Sequence, residues 1–205
     1  MIDQFVHRYE PGSPSDPTTL LLFHGTGGNE GSLLSLGRAV APRAALLSPR
    51  GRVLEHGMPR FFRRIAEGVF DLEDLRIRTD EMAEFIRAAA THYKRDPKGF
   101  VALGFSNGAN IADSLLLRQP NLIPRAILFR AMVPFEPEHP PALAGTRVLL
   151  GAGRHDPLVP VANVTRLAEI MKQGGAEVDL VWQEAGHQLV EEEVQAAADW
   201  LGRAR

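Results

Sequence analysis

The chain has 205 residues, room for one sizeable hydrophobic core and too little for two. With 44% hydrophobic residues, 23% charged residues and a net charge of −2, it has an ordinary globular make-up and no electrostatic pull towards nucleic acid or a stable membrane association. It contains no cysteine, which excludes disulfides, thiolate nucleophiles and cysteine-bound zinc and suits a cytoplasmic protein.

Along the chain, short β-rich runs alternate with helical patterns, as in an α/β protein with a mostly parallel sheet. Strands are predicted at Gln4–Tyr9, Thr19–His24, Ala44–Ser48, Phe100–Gly104, Arg125–Phe129, Arg147–Gly151 and Glu177–Trp182. From Thr19 onward they are nearly continuous apolar runs, the pattern of strands covered on both faces. Between them lie three apolar stripes of helical period. The first is Met82, Phe85, Ile86, Ala89 and Tyr93, stopped by Asp96-Pro97. The second is Val161, Val164, Leu167 and Met171, opened by Pro160. The third is Val190, Val194, Ala197 and Leu201. No linker or repeat interrupts the series, so residues 1–205 read as a single domain. No apolar run approaches a membrane span, and the opening residues lack the basic-then-apolar order of a signal peptide. Two long segments, 49–73 and 131–145, carry no clear periodicity. Segments of that length in a compact domain are commonly functional.

The first predicted strand-to-turn junction with chemical content is "LLLFHGTGGNEGSLL". A glycine-rich turn before a helix can present backbone N–H groups to an anion. A phosphate loop is the competing reading, but the Walker lysine and the G-x-G-x-x-G spacing are both missing. His24 precedes the turn and reads as a buttress for it.

The next is "VALGFSNGANIADSLLL", which places Ser106 at the centre of G-x-S-x-G between a strand and a helix. That context fits a nucleophile elbow, in which the flanking glycines make room for a tight turn; a purely structural turn serine is the alternative. A serine hydroxyl needs a base, and of the later histidines His187 in "WQEAGHQLV" follows a strand, where open α/β sheets carry their sites. His139 lies ahead of any suitable acid, and His155 adjoins Asp156 too closely to converge with it. Asp156 in "GRHDPLVP" is the candidate acid, with capping of the following turn as its plainer role. Asp179 and Asp113 are weaker rivals. If Ser106 attacks an ester, oxyanion N–H donors are expected from Asn107 and from Thr26.

These stretches carry a resemblance. "HGTGGNE", "GFSNGANIA", "GRHDPLVP" and "EAGHQL" resemble the phospholipase/carboxylesterase family of α/β-hydrolases, relatives of acyl-protein thioesterases, over essentially the whole chain. "GMPRFFRRIAEGVFDLEDL" is similar to the bacterial branch that includes hydrolases linked to hydroquinone resistance. The resemblance implies a cofactor-free serine esterase of α/β-hydrolase fold, acting on small carboxylic esters. Ser106, Asp156 and His187 match the family's triad, and Thr26 and Asn107 its oxyanion positions. Acyl-protein thioesterases commonly carry leucine and glutamine at those two positions, so removal of palmitate from proteins is not carried over.

A substrate pocket is expected from Met58, Phe61, Phe62 and Phe70 of the first long segment, with Met132, Phe135, Leu158 and Val159. Phe61 and Phe62 have a plainer alternative, pinning the loop to the core. Arg60, Arg63 and Arg64 are candidates to receive a carboxylate or phosphate, or else form a salt-bridged face. Segment 131–145 is too short for a cap domain, so an open site for short- to medium-chain esters is expected. The expected partner is thus a small-molecule ester, and a homodimer stays open. No H-E-x-x-H or similar cluster calls for a metal. A thioesterase or lactonase would use the same groups, and a ligand-binding protein without turnover could share the scaffold.

Overall fold

The computed structural model describes residues 2–203. In chain order the elements are β1 His7–Glu10, β2 Thr19–Phe23, α1 Leu34–Val40, β3 Ala45–Pro49, β4 Val53–Glu55, β5 Met58–Arg60, β6 Arg64–Ala66 and β7 Val69–Phe70. They continue as α2 Leu72–His92, β8 Phe100–Phe105, α3 Asn107–Arg118, β9 Arg125–Phe129, β10 Arg147–Gly153, α4 Val161–Gln173, β11 Glu177–Gln183 and α5 Glu191–Gly202.

Seven strands form one sheet in the order β1-β3-β2-β8-β9-β10-β11. Only β1 runs antiparallel to its neighbour; the remaining pairs are parallel. Alternate residues of the apolar strands face opposite layers. Leu21, Phe23, Ala102, Leu128 and Leu150 pack with α2, α3 and α4, while Leu20, Leu22, Val101, Leu103, Ile127 and Leu149 pack with α1 and α5. This two-sided burial is why the central strands read as unbroken apolar runs. β11 lies at the sheet's edge and is only partly covered.

The three helical stripes form α2, α4 and α5, with two local departures. Asp71 caps α2 by accepting from the Asp74 N–H, so the helix starts ten residues before Met82. Val161, at the first position of α4, is 42% exposed instead of packed. At the N-terminus, a turn of 3-10 helix over Ile2–Gln4 occupies the beginning of the predicted first strand, which pairs from His7 onward.

Segment 49–73 folds into two small hairpins, β4–β5 and β6–β7. The first turns at His56-Gly57, both at positive φ (50° and 80°), the handedness that matches strand twist in a two-residue loop. The second turns at Glu67-Gly68, with Gly68 at 73°. Among the described residues, no helix is long and apolar enough to cross a membrane.

Candidate active site

The site sits at the C-terminal ends of the central parallel strands. β8 runs into Ser106, whose backbone is forced to φ 52°, ψ −118°, and α3 begins at the next residue. That left-handed conformation costs a non-glycine residue about 1–3 kcal/mol. It is held by Ser106 N–H donating to Phe129 O at 2.9 Å and by Asn110 N–H donating to Ser106 O at 3.0 Å. The turn also needs bare backbone on its far side: a Cβ on Gly108 would overlap the Phe23 carbonyl of β2, and one on Gly104 would lie 2.7 Å from Ala109 Cα.

His187 lies in the connection between β11 and α5. Its Nε2 is 3.0 Å from Ser106 Oγ, and its Nδ1 is 2.8 Å from Asp156 Oδ2. A carboxylate only accepts, so the imidazole carries its proton on Nδ1 and leaves Nε2 to accept from the serine hydroxyl. Asp156, on the loop after β10, has a fully buried side chain, whereas that of His187 is 22% exposed. Its other oxygen, Oδ1, accepts from the N–H groups of Leu158 and Val159 at 2.8 and 3.1 Å. The capping role and the His187 contact therefore coexist, one on each oxygen.

Thr26 and Asn107 border the same cleft as Ser106, and neither backbone N–H donates to another protein group among the described residues. His24 stands behind the Thr26 turn: its Nδ1–H donates to Gly25 O at 2.7 Å, and its Nε2 accepts from Gly51 N–H at 3.0 Å. Burial pushes its pKa down, keeping the ring neutral as this pair of bonds requires.

The cleft measures about 310 Å³, and its walls include Phe70, Met132, Leu158 and Val159 together with Phe105. Four expected pocket residues are elsewhere. Phe61 and Phe62 are 3% and 0% exposed and pack into the core, Phe61 edge-on to Phe23 of β2 and Phe62 edge-on to Phe70 of β7. Met58 is 40% exposed and lies beside Gly27, outside the cleft. Phe135 packs against the core as well. Of the arginines, Arg60 and Arg64 line the cleft, while Arg63 points away into a pair with Asp71 at 3.0 Å.

Arg130 went unnoticed in the sequence. It directly follows β9, at φ 59°, and its side chain has no solvent exposure. Nε donates to Gly186 O at 3.0 Å and Nη2 to Gln188 O at 2.6 Å, so the guanidinium grips the carbonyls on either side of His187. Nε also lies 3.8 Å from Asp156 Oδ2. A lone arginine at the end of an apolar strand is the only local signal; its partner Glu193 lies 63 residues away.

Three asparagines fasten the two non-periodic segments. Asn107 Oδ1 accepts from Phe61 N–H (2.8 Å), Asn110 Oδ1 from Met132 N–H (2.8 Å) and Asn163 Oδ1 from Val133 N–H (2.7 Å). Among the described residues there is no cluster of histidine and acidic side chains suited to a metal ion.

A strained serine between strand and helix, followed in the chain by an acid and then a histidine at later strand ends, defines the class: this is an α/β-hydrolase, and an enzyme of the serine hydrolase kind. Residues 9–204 match the phospholipase/carboxylesterase family, and the chain belongs to it. MhqD of Bacillus subtilis is 46% identical over 97% of this chain and 98% of its own length. Among solved structures, the Bacillus cereus carboxylesterase is 45% identical with a TM-score of 0.95, covering 98% of this chain and 95% of that one. YahD, solved with malic acid, is 32% identical with a TM-score of 0.93, covering 98% and 100%.

Proposed function

We propose that the protein is a single-domain carboxylesterase that hydrolyses small, short- to medium-chain carboxylic esters through an acyl-enzyme on Ser106. The observation that carries this reading is the hydrogen-bonded row from Ser106 Oγ through His187 to Asp156. As Ser106 attacks the ester carbonyl, His187 Nε2 takes the hydroxyl proton, and Asp156 holds the ring's tautomer and stabilises the imidazolium. The negative charge on the carbonyl oxygen is met by the N–H groups of Asn107 and Thr26, each worth about 3–4 kcal/mol to the transition state. The acyl–oxygen bond then breaks, the alcohol leaves with the proton from His187, and water repeats the sequence on the acyl-enzyme. The modest cleft, with apolar side chains in its lining, suits a short acyl chain.

The test pairs turnover of 4-nitrophenyl acetate and butyrate with labelling by a serine-directed fluorophosphonate. Ser106→Ala is expected to abolish labelling and to lower kcat by roughly 10⁴–10⁶ while remaining folded. Near-normal turnover by that variant would overturn the assignment.

A further inference from the structure

The cleft is lined by both apolar and charged side chains. Besides the apolar residues it is lined by Arg60 and Arg64, with Glu67 and Arg130 also on the lining. Arg60 is only 3% exposed. Its Nη1 donates to Thr26 Oγ1 at 2.6 Å and its Nε to Phe62 O at 3.2 Å, which fixes the group against the turn that carries a proposed oxyanion donor. Arg64 spends Nε on both oxygens of Glu55, at 2.9 and 3.1 Å. Arg60 Nε lies 3.4 Å from the same carboxylate, so two cations share one anion. Glu67 is exposed on the β6–β7 turn and forms no ion pair with either arginine among the described residues. Both terminal nitrogens of Arg64 and Nη2 of Arg60 make no hydrogen bond to another described residue.

Burying a guanidinium is costly unless a counter-charge and its hydrogen bonds are supplied. Arg60 meets that cost only in part, through an oxygen of Thr26, a backbone carbonyl and half of one carboxylate. Burial and the neighbouring Arg64 both push its pKa down, with Glu55 opposing. A second carboxylate, with two oxygens that accept N–H bonds from guanidinium groups, is the group suited to complete such a pair.

We propose that Arg60 and Arg64 form a carboxylate-binding subsite, and that the esters turned over here carry a free carboxylate a short spacer away from the ester group. This rests on the Ser106 reading above. The carboxylate makes and breaks no bond. It orients the substrate, while the apolar lining residues Phe70, Phe105, Met132 and Leu158 take the remainder of the molecule. Because Arg60 touches the Thr26 turn, the spacer is short, as in half-esters of succinic or glutaric acid.

The experiment compares kcat/KM for mono-(4-nitrophenyl) glutarate with that for 4-nitrophenyl valerate, which replaces the carboxylate by a methyl group. A second arm compares 4-acetoxybenzoate with 4-tolyl acetate, moving the charge to the leaving group. Wild-type enzyme is expected to favour the charged member of one pair by at least ~10-fold, equivalent to about 1.4 kcal/mol. The charged-to-neutral ratio is expected to fall at least ~10-fold in Arg64→Met and to shrink as salt is raised. Which arm responds tells whether the subsite serves the acyl group or the alcohol; either response supports it. Ratios at or below one in both arms, or ratios that Arg64→Met leaves unchanged, would overturn the subsite. Ser106→Ala separates the two readings, since loss of all turnover in that variant alongside unresponsive ratios leaves the nucleophile standing and removes only the subsite.

Discussion

Arg130 and Glu193 meet through two hydrogen bonds, Nη1 to Oε1 at 2.6 Å and Nη2 to Oε2 at 2.8 Å, with both side chains sealed from water. The pair ties the end of β9 to the first turn of α5, where Glu193 also accepts from Val190 N–H. Between these anchors runs the loop that holds His187. Removing the arginine leaves a buried carboxylate alone, a loss of about 3–5 kcal/mol. Arg130→Met is therefore expected to be strongly destabilised in urea titrations. Combining it with Glu193→Leu restores much of the stability, because no orphan charge remains. The double variant still lacks the grip on Gly186 and Gln188, and its kcat for 4-nitrophenyl butyrate is expected to stay at least ~10-fold low, as displaced catalytic groups act. Recovery of kcat along with stability would show that Arg130 serves the fold alone.

Asp113 gives a pH-dependent prediction. It is fully buried on α3, neither carboxyl oxygen has a well-formed hydrogen-bond partner among the described residues, and burial raises its pKa well above the ordinary 3.8, against the lowering pull of the Ser114 N–H. The folded state therefore holds this proton more tightly than the unfolded chain. Its contribution to stability is fully present below 3.8 and declines as pH rises from there towards the raised folded value. Asp113→Asn removes the decline. In thermal melts the variant is expected to gain about 2–4 °C over wild type for each kcal/mol relieved at about pH 8, the gap closing towards about pH 4.

His24 has the opposite sign. Its folded pKa is depressed below 6.5, chiefly by burial and with Arg50 adding to it, against the Gly25 carbonyl and Glu30. The neutral ring contributes stability above the unfolded value, and that contribution is lost as pH falls from 6.5 through the folded pKa. Wild-type stability is expected to drop across this window. His24→Gln, which keeps an acceptor within reach of Gly51 N–H, is expected to flatten that part of the curve in urea titrations at stepped pH.

Gly108→Ala tests the close approach behind Ser106. Its Cβ would enter the Phe23 carbonyl, and the atoms it meets are all backbone of Phe23 and His24, with nothing soft to move. The expected result is a loss of about 1–3 kcal/mol or more, or insoluble protein, read by yield and denaturant midpoint.

Much of this site could be read from the sequence because it is built from local punctuation. Ser106 stands between glycines at a strand end, and Asp156 and His187 each follow an apolar run, so position along the chain already implied position on the sheet. The two hairpins of segment 49–73 left weaker traces: His56-Gly57 and Glu67-Gly68 mark their turns, but strands of two or three residues are too short to show a period. Phe61 and Phe62 resembled pocket residues because an aromatic pair in a loop looks the same whether it faces a ligand or a core; burial decided it. Arg130 had no such punctuation. Its meaning comes entirely from Gly186, Gln188 and Glu193, contacts that exist only after β9 and α5 are brought side by side.

The amide side chains of Asn107, Asn110 and Asn163 project from helices and each catches one backbone N–H of the segments that border the cleft. The fastening thus belongs to the scaffold and makes no demand on which residues those segments carry. Side chains of those segments that stay out of the core, unlike Phe61 and Phe62, are free to be exchanged for a different substrate without loosening the sheet, so the protein keeps its architecture and its taste in separate hands.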